Sequence, residues 1–276
     1  MPVATVDYDA ANYRQSPISS TFADLVAGLK LVELWGTMGW LDMRQRYRRS
    51  VMGPFWVTLS LAAFVGGLGI TYGALFKMSL QEYLPYLSVG IVIWTLLAGF
   101  IMEGCGTFTG AEAAIKQMPA PLSVHLFRLI WRSLIIFFHN IIIIALVLFI
   151  FGINPGWVGF MSLVGLCIVV INGAAFGLLL GTLSARFRDI PPLMSNVVQT
   201  LFFVTPVIWH ADSLQDRQVI ADWNPLYHLI ELVRAPILTG FPTVVNWEFS
   251  LVFTVVNCLI AFLFYARFRW RIPYWL

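Results

Sequence analysis

Apolar residues in this chain come in long blocks, and the charged residues stand between the blocks rather than within them. Residues 51–76 carry no charged side chain, and neither do residues 83–102. A third charge-free run, 133–185, is 53 residues long. That is too long for one helix, and it breaks at Gly152-Ile153-Asn154-Pro155-Gly156, a turn-forming string. Two more apolar runs cover 190 to about 211 and 249–266. A hydrocarbon core about 30 Å thick takes about 20 apolar residues per helix. The pattern therefore predicts an all-α, polytopic membrane protein with six transmembrane helices.

Three further segments have helical periodicity without a span's length. From Thr21 to about Tyr47, Phe22, Leu25, Leu29 and Val32 form an apolar stripe, with Asp24, Lys30 and Glu33 off it. Thr21 and Asp24 have the spacing of a capping box. The segment ends in Arg44, Arg46, Arg48 and Arg49, which suits a helix lying in the membrane interface with its basic end on anionic lipid. Between spans two and three, residues 111–118 have helix-forming composition and end at Pro119 and Pro121. Between spans five and six, Ser213 to Asp216 repeats the capping-box spacing, and Asn224-Pro225 offers an N-cap and a first-turn proline. Leu226, Leu229, Ile230 and Val233 then make one apolar face, with Tyr227, Glu231 and Arg234 on the other and Pro236 as the stop. Two helices too short to span suggest a re-entrant hairpin, whose backbone must face protein or a water-filled cavity. A surface loop on the outer leaflet is the competing reading.

Composition narrows the class. The chain has 276 residues, 59% hydrophobic and 11% charged, with a mean hydropathy of +0.80. Soluble domains are about 45–50% apolar and about 25% charged. A soluble enzyme, a disordered chain and a nucleic-acid binder are excluded, and so is a porin-like barrel, whose strands alternate in segments of about 10 residues. Three scattered cysteines fit neither a disulfide framework nor a metal site.

Dividing the charge by side adds an orientation. Fourteen of the 17 Lys and Arg residues fall on the side that holds both termini, and three (Lys77, Arg217, Arg234) on the other. The positive-inside rule makes both termini cytoplasmic. Ten of the eleven tryptophans lie away from the bilayer midplane, as the amphipathic indole prefers; Trp94, in the middle of span two, is the exception. No secretory signal pattern opens the sequence.

Some chemistry is missing. There is no G-x-x-x-x-G-K-[ST] string, so no nucleotide is bound through a P-loop. Within the spans there is no Asp, Glu, Lys or Arg, apart from Glu103 at the edge of span two. Ion-coupled transporters usually carry such charges. His139-Asn140 in span three reads as a neutral histidine bonded across helices. Gly173, Gly177, Gly181 and Ala185 on span four, and Gly66, Gly67, Gly69 and Gly73 on span one, read as close helix contacts. Asp189 reads as the cap of span five, and Pro206 as a kink near its outer end.

The strings Arg46-Tyr47-Arg48-Arg49-Ser50-Val51-Met52-Gly53-Pro54-Phe55-Trp56, Ala185-Arg186-Phe187-Arg188-Asp189-Ile190, Thr205-Pro206-Val207-Ile208-Trp209 and Asn224-Pro225-Leu226-Tyr227 occur in that order around the spans. In this arrangement the chain resembles the permease subunit of ABC-2 type polysaccharide exporters, most of all the O-antigen (lipopolysaccharide) permeases. The resemblance covers about residues 22–272. It implies a polar arm over 1–20, an interface helix over 21–48, a transmembrane domain over 51–268 and a cytoplasmic tail over 269–276. It implies a coupling helix at about 110–121, with Glu112, Lys116, Gln117, Met118 and Pro119 meeting an ATPase. It implies a periplasmic gate hairpin at about 212–240, containing Asn224, Pro225, Tyr227, Glu231 and Arg234. Partners would be a second copy of the chain, two cytoplasmic ATPase subunits that carry ATP and Mg, membrane lipid, and a polysaccharide on undecaprenyl diphosphate, all at the bacterial inner membrane. No cofactor would sit on this chain, and no catalysis. Tyr72, Phe76, Trp94, Phe202 and Phe203 are the candidate channel-lining rings. Capsule, teichoic-acid or small-lipophile export is the alternative within the family. A membrane-embedded lipid-sugar enzyme and a scaffold subunit are the alternatives outside it.

Overall fold

The computed structural model describes residues 17–48, 50, 52–53, 55–212 and 219–276, and these form helices and turns with no strand. Arg49 and the Ser213–Asp216 pattern lie outside the described residues. The helices are α1 (Pro17–Lys30), α2 (Val32–Arg46), α3 (Phe55–Phe76), α4 (Leu80–Cys105), α5 (Glu112–Gln117), α6 (Ser123–Phe151), α7 (Met161–Arg186), α8 (Ile190–Val204), α9 (Val219–Asp222), α10 (Pro225–Leu238), α11 (Val244–Phe268) and α12 (Ile272–Trp275). Where one N-terminal helix is expected, the chain forms two, broken at Leu31 (φ −84°, ψ 50°). α1 begins at Pro17, since proline is tolerated in a first turn. Thr21 is therefore interior, its hydroxyl has no partner among the described residues, and no capping box forms with Asp24.

Among the described residues, five helices, α3, α4, α6, α7 and α11, are long and apolar enough to cross a membrane. The sixth apolar run does not make a full-length helix. α8 has 15 residues, about 22 Å at about 1.5 Å per residue, against a core of about 30 Å. It stops because Pro206 has no N–H to give and forces the preceding residue out of helix; Thr205 is extended at ψ 135°. Pro206 thus ends the helix rather than kinking it. Pro236 does the reverse: α10 runs through it to Leu238. Asp189 makes no side-chain cap on α8. The break between α6 and α7 falls where the turn string predicts, with Gly152 left-handed at φ 66°.

α4 is the hub, packed by α3, α6, α7, α8 and α10. Its crossing with α7 is a glycine contact. A Cβ on Gly173 would lie 2.3 Å from the Phe100 ring and one on Gly104 3.2 Å from Gly177 Cα, while one on Gly177 would lie 2.8 Å from Leu129 of α6. The small-residue stripe is therefore a close-packing face. On α3 only Gly69 and Gly73 are packed; Gly66 and Gly67 have nothing within 4 Å. α7 and α11 are tied by Asn172, which donates to Thr254 (2.7 Å) and accepts from Asn257 (3.0 Å). The cross-helix bond expected of His139 belongs to its neighbour. Thr58 Oγ1 and Asn140 Oδ1 lie 3.2 Å apart, while His139 Nδ1 bonds Ile135 O on its own helix.

Candidate functional site

At the end where the arginines gather, α1 and α2 are fastened to the bundle rather than lying free of it. Asp24 of α1 accepts from the backbone N–H of Leu122 (3.2 Å) and Ser123 (3.3 Å), so it caps the start of α6 from another part of the chain. The same carboxylate accepts from Tyr265 Oη (2.9 Å) and pairs with Arg269 (3.2 Å) at the end of α11. Ser123 Oγ donates back to Asp24 O at 2.6 Å. On α2, Asp42 is held by Arg128 (Nε at 2.6 Å, Nη2 at 2.5 Å) and by Arg132 Nη1 (3.1 Å). Arg132 Nε also donates to Glu103 (2.8 Å), and Arg46 Nη2 to the other Glu103 oxygen (3.1 Å). Burial pushes the Asp42 carboxyl up, but the bonds and charges of Arg128 and Arg132 outweigh it and hold the group below the usual range. Arg46 of the basic set is thus built into the network, while Arg44 and Arg48 are exposed.

The α5 segment hangs from this network. Thr109–Ala111 form a 3₁₀ turn, and α5 rests against α12. Glu112 and Lys116 pair along α5 at 2.7 Å, which holds the Glu112 carboxyl below its usual range. Lys116, Gln117, Met118 and Pro119 are all exposed. The five coupling candidates therefore form one continuous, protruding strip, one short turn from the α6 start that Asp24 caps.

At the opposite end the polar face assigned to α10 is not on a surface. Arg234 is 1% exposed. α10 is buried by α4, α7 and α11, so a loop lying on the outside of the bundle does not describe it. Asn224 caps α10 as expected, accepting from Leu226 N (3.0 Å) and Tyr227 N (3.3 Å), with Pro225 in the first turn. It also donates to Thr205 Oγ1 at 2.9 Å. Glu231 and Arg234 pair through Nε at 2.9 Å and also through Nη2. Arg234 Nη2 donates to Pro206 O (3.0 Å), and its guanidinium lies 3.8 Å from the centre of the Tyr86 ring. Tyr86 Oη reaches Trp209 O (3.0 Å) and Pro206 O (3.3 Å), and Tyr83 Oη donates to Ile208 O (2.6 Å). The non-helical 205–210 segment is thus pinned by three α4 and α10 side chains that satisfy its carbonyls. The Tyr227 ring is 5.3 Å from His228, which bonds Asn246 (2.8 Å) and Asp222 O (2.8 Å).

The candidate lining rings fall into two groups. Trp94 is 7% exposed and packs on Phe202 (5.5 Å between ring centres), which packs on Phe203 (5.5 Å). Tyr72 packs on Phe76 (5.7 Å), which meets Tyr83 (6.0 Å). Phe203 is 60% exposed and Phe76 is exposed as well, so these two present faces outward from the chain. Sequence reasoning missed Asp24, Asp42, Tyr83 and Tyr86 as site residues. The signal for the tyrosines was available: a buried phenol usually finds a hydrogen-bond partner, and these two lie three apart in an apolar helix. Nothing local marks Asp24 and Asp42, whose partners lie about 100 and 90 residues away.

Buried cross-helix ties, an exposed helical strip at one end and a buried short helix at the other, on five helices long enough to span, describe a polytopic helical membrane protein. The ABC-2 type transporter family matches residues 33–238, and the chain belongs to that family. Among individual relatives, it is 23% identical to the O-antigen export system permease protein RfbA of Klebsiella pneumoniae, over 83% of this chain and 90% of that protein. It is 21% identical to RfbA of Myxococcus xanthus, over 70% of this chain and 76% of that protein. It is 19% identical to the polysialic acid transport protein KpsM of Escherichia coli, over 81% of this chain and 89% of that protein.

Proposed function

We propose that this chain is the membrane permease of an ATP-driven exporter for a lipid-linked polysaccharide of the O-antigen kind. It works as a homodimer with two cytoplasmic ATPase subunits, in the bacterial inner membrane and with both termini in the cytoplasm. The observation that carries this reading is the buried α10, with its pinned, non-helical 205–210 segment. Irregular backbone at membrane depth is tolerated where protein satisfies it or where it lines a water-filled cavity. Tyr83, Tyr86 and Arg234 do the first in this state. Exchanging those bonds for water is the opening step of an exit gate, with α8 completing its crossing through this segment as the fifth of six spans and α10 as the inner arm of a re-entrant hairpin.

The remaining geometry supports the same reading. The exposed α5 strip is a ready contact for a soluble motor, and the Asp24 cap passes its displacement to α1, α6 and α11 at once. The helices α3 and α8 bury little of themselves within the chain, which suits a second copy closing a channel between them. Phe76 and Phe203 would then offer ring faces on which a weakly charged glycan slides, with Trp94 behind Phe202. The family's polysialic acid relative favours one second reading, export of a capsule-type polysaccharide, through the same parts.

The test is purification of the full chain from membranes of its source in mild detergent, with export followed in vivo. Co-purification of an ATPase is expected. Lys116→Glu combined with a proline inserted after Ala113 should leave the chain in the membrane and abolish export. A Trp223→Cys chain should react with an impermeant thiol reagent added from outside. Purification without an ATPase together with full export by the α5 variant would overturn the coupling reading, and labelling of Cys only after lysis would overturn the orientation.

A further inference from the structure

Beside the charge network, a cavity of about 40 Å³ lies between the turn after α4 and the first turns of α6. A single water needs about 10–15 Å³ on this measure, so the space holds two or three waters or the terminal oxygens of one larger ion. Its walls include Gly106, Thr107, Ala111, His125, Arg128 and Arg132, and no carboxylate lines it. His125 is 4% exposed, and its Nδ1 has no hydrogen-bond partner among the described residues. Such a buried, unsatisfied group needs an occupant to bond. Both arginines have donors to spare. Arg128 uses Nε and Nη2 on Asp42, and Arg132 uses Nε on Glu103 and Nη1 on Asp42. One terminal nitrogen of each is outside that network. The network itself joins three cations (Arg46, Arg128, Arg132) to two carboxylates (Asp42, Glu103), so one positive charge is left over.

We propose that this cavity is a binding site for a phosphate oxyanion. Guanidinium forks match phosphate oxygens in spacing and charge, His125 supplies a third donor in the tautomer that carries its proton on Nδ1, and the surplus charge selects an anion over water. The phosphate comes either from free inorganic phosphate or from the headgroup of an anionic lipid. Bound there, it would tie the turn leading to α5 to the start of α6. This inference stands on the cavity alone and does not depend on what the chain transports.

The experiment uses the full chain in neutral detergent and in nanodiscs. Inorganic phosphate, titrated against chloride at equal ionic strength, should raise the apparent unfolding temperature in a saturable way and broaden the phosphorus NMR line of phosphate. If the source is lipid, nanodiscs containing phosphatidylglycerol should stabilise the chain over pure phosphatidylcholine discs, while free phosphate has little effect in detergent. His125→Leu removes the third donor, and Ala111→Leu fills the cavity while keeping every charge. Each should weaken the response at least tenfold. The proposal is overturned if neither phosphate nor phosphatidylglycerol acts beyond its control. It is also overturned if both variants respond like the wild type. Should a variant fail to fold, the phosphorus line of phosphate on the wild-type chain decides: no broadening, with no lipid preference, refutes the site.

Discussion

Removing the Glu231 carboxylate is the sharpest perturbation the gate region offers. Arg234 is fully buried, and among the described residues Glu231 is its one anionic partner, bonded through Nε at 2.9 Å and through Nη2. At that separation and an effective dielectric constant of about 20, the Coulomb attraction is about 6 kcal/mol. Desolvation of the two charges offsets much of it. Truncation exposes the imbalance, because Glu231→Ala leaves a guanidinium in the bundle whose partners among the described residues are Pro206 O and the Tyr86 ring. The expected cost is about 3–5 kcal/mol, the range for breaking one side of a buried pair. The double variant Glu231→Ala/Arg234→Met removes the stranded charge and should recover most of that loss. Pro206 O then shares the single Tyr86 O–H with Trp209 O, at 3.3 and 3.0 Å, which keeps the recovery short of complete. The assay is unfolding of the detergent-solubilised chain followed by tryptophan fluorescence, wild type, two singles and the double side by side. A Glu231→Ala chain as stable as wild type would refute the reasoning. So would a double variant whose loss equals the sum of the two single losses, since the pair would then not be coupled.

Three more outcomes are expected. Asp24→Ala removes the cap of α6 and should cost about 1–2 kcal/mol, read by faster amide exchange at Leu122 and Ser123 than at the rest of α6; unchanged exchange there would count against the cap. The depressed Asp42 carboxyl contributes stability that is complete above the unfolded carboxylate value of about 4 and is lost as pH falls through the lower folded value. The emission of Trp35, which packs 6.2 Å from the Trp131 ring centre, should therefore stay constant from about pH 5 to 8 and change only below about 4; a transition near neutrality would contradict this. Gly173→Ala should destabilise the chain, because its Cβ would lie 2.3 Å from the Phe100 ring, whereas Gly66→Ala, a mid-helix glycine with nothing within 4 Å, should hold or raise the unfolding temperature. Equal effects at the two sites would mean α4 and α7 are not in that contact.

Much of the fold was legible because its signals are local. Each of the five long helices is built on a charge-free run and all but α3 extend past it into charged residues, Gly152 turns where the Gly-Ile-Asn-Pro-Gly string stands, and Asn224-Pro225 opens α10. The length of span five was not legible. An apolar run reads the same whether or not its last third is helical, and only the restriction that Pro206 places on Thr205 shortens α8. Half of the candidate site was legible in the same way. The Glu112–Lys116 and Glu231–Arg234 pairs follow from spacing along one helix. The contacts of Asp24, Asp42, Tyr83 and Tyr86 do not, since each joins segments far apart in the chain.

By itself, then, the sequence determined where the long apolar helices lie, which ends of them are basic, and that almost no charge lies within the apolar runs. Periodicity and capping act over a few residues, and the segregation of charge follows from the cost of carrying ions into hydrocarbon. Only the tertiary structure decided that the polar face of α10 is inside. Glu231 and Arg234 are three apart in either case. Closure of α4, α7 and α11 around them makes the pair buried, and it sets the guanidinium against Tyr86 and the 205–210 carbonyls. The same holds at the other end, where the docking of α1 and α2 turns two ordinary surface aspartates into the cap and the counter-ion of α6.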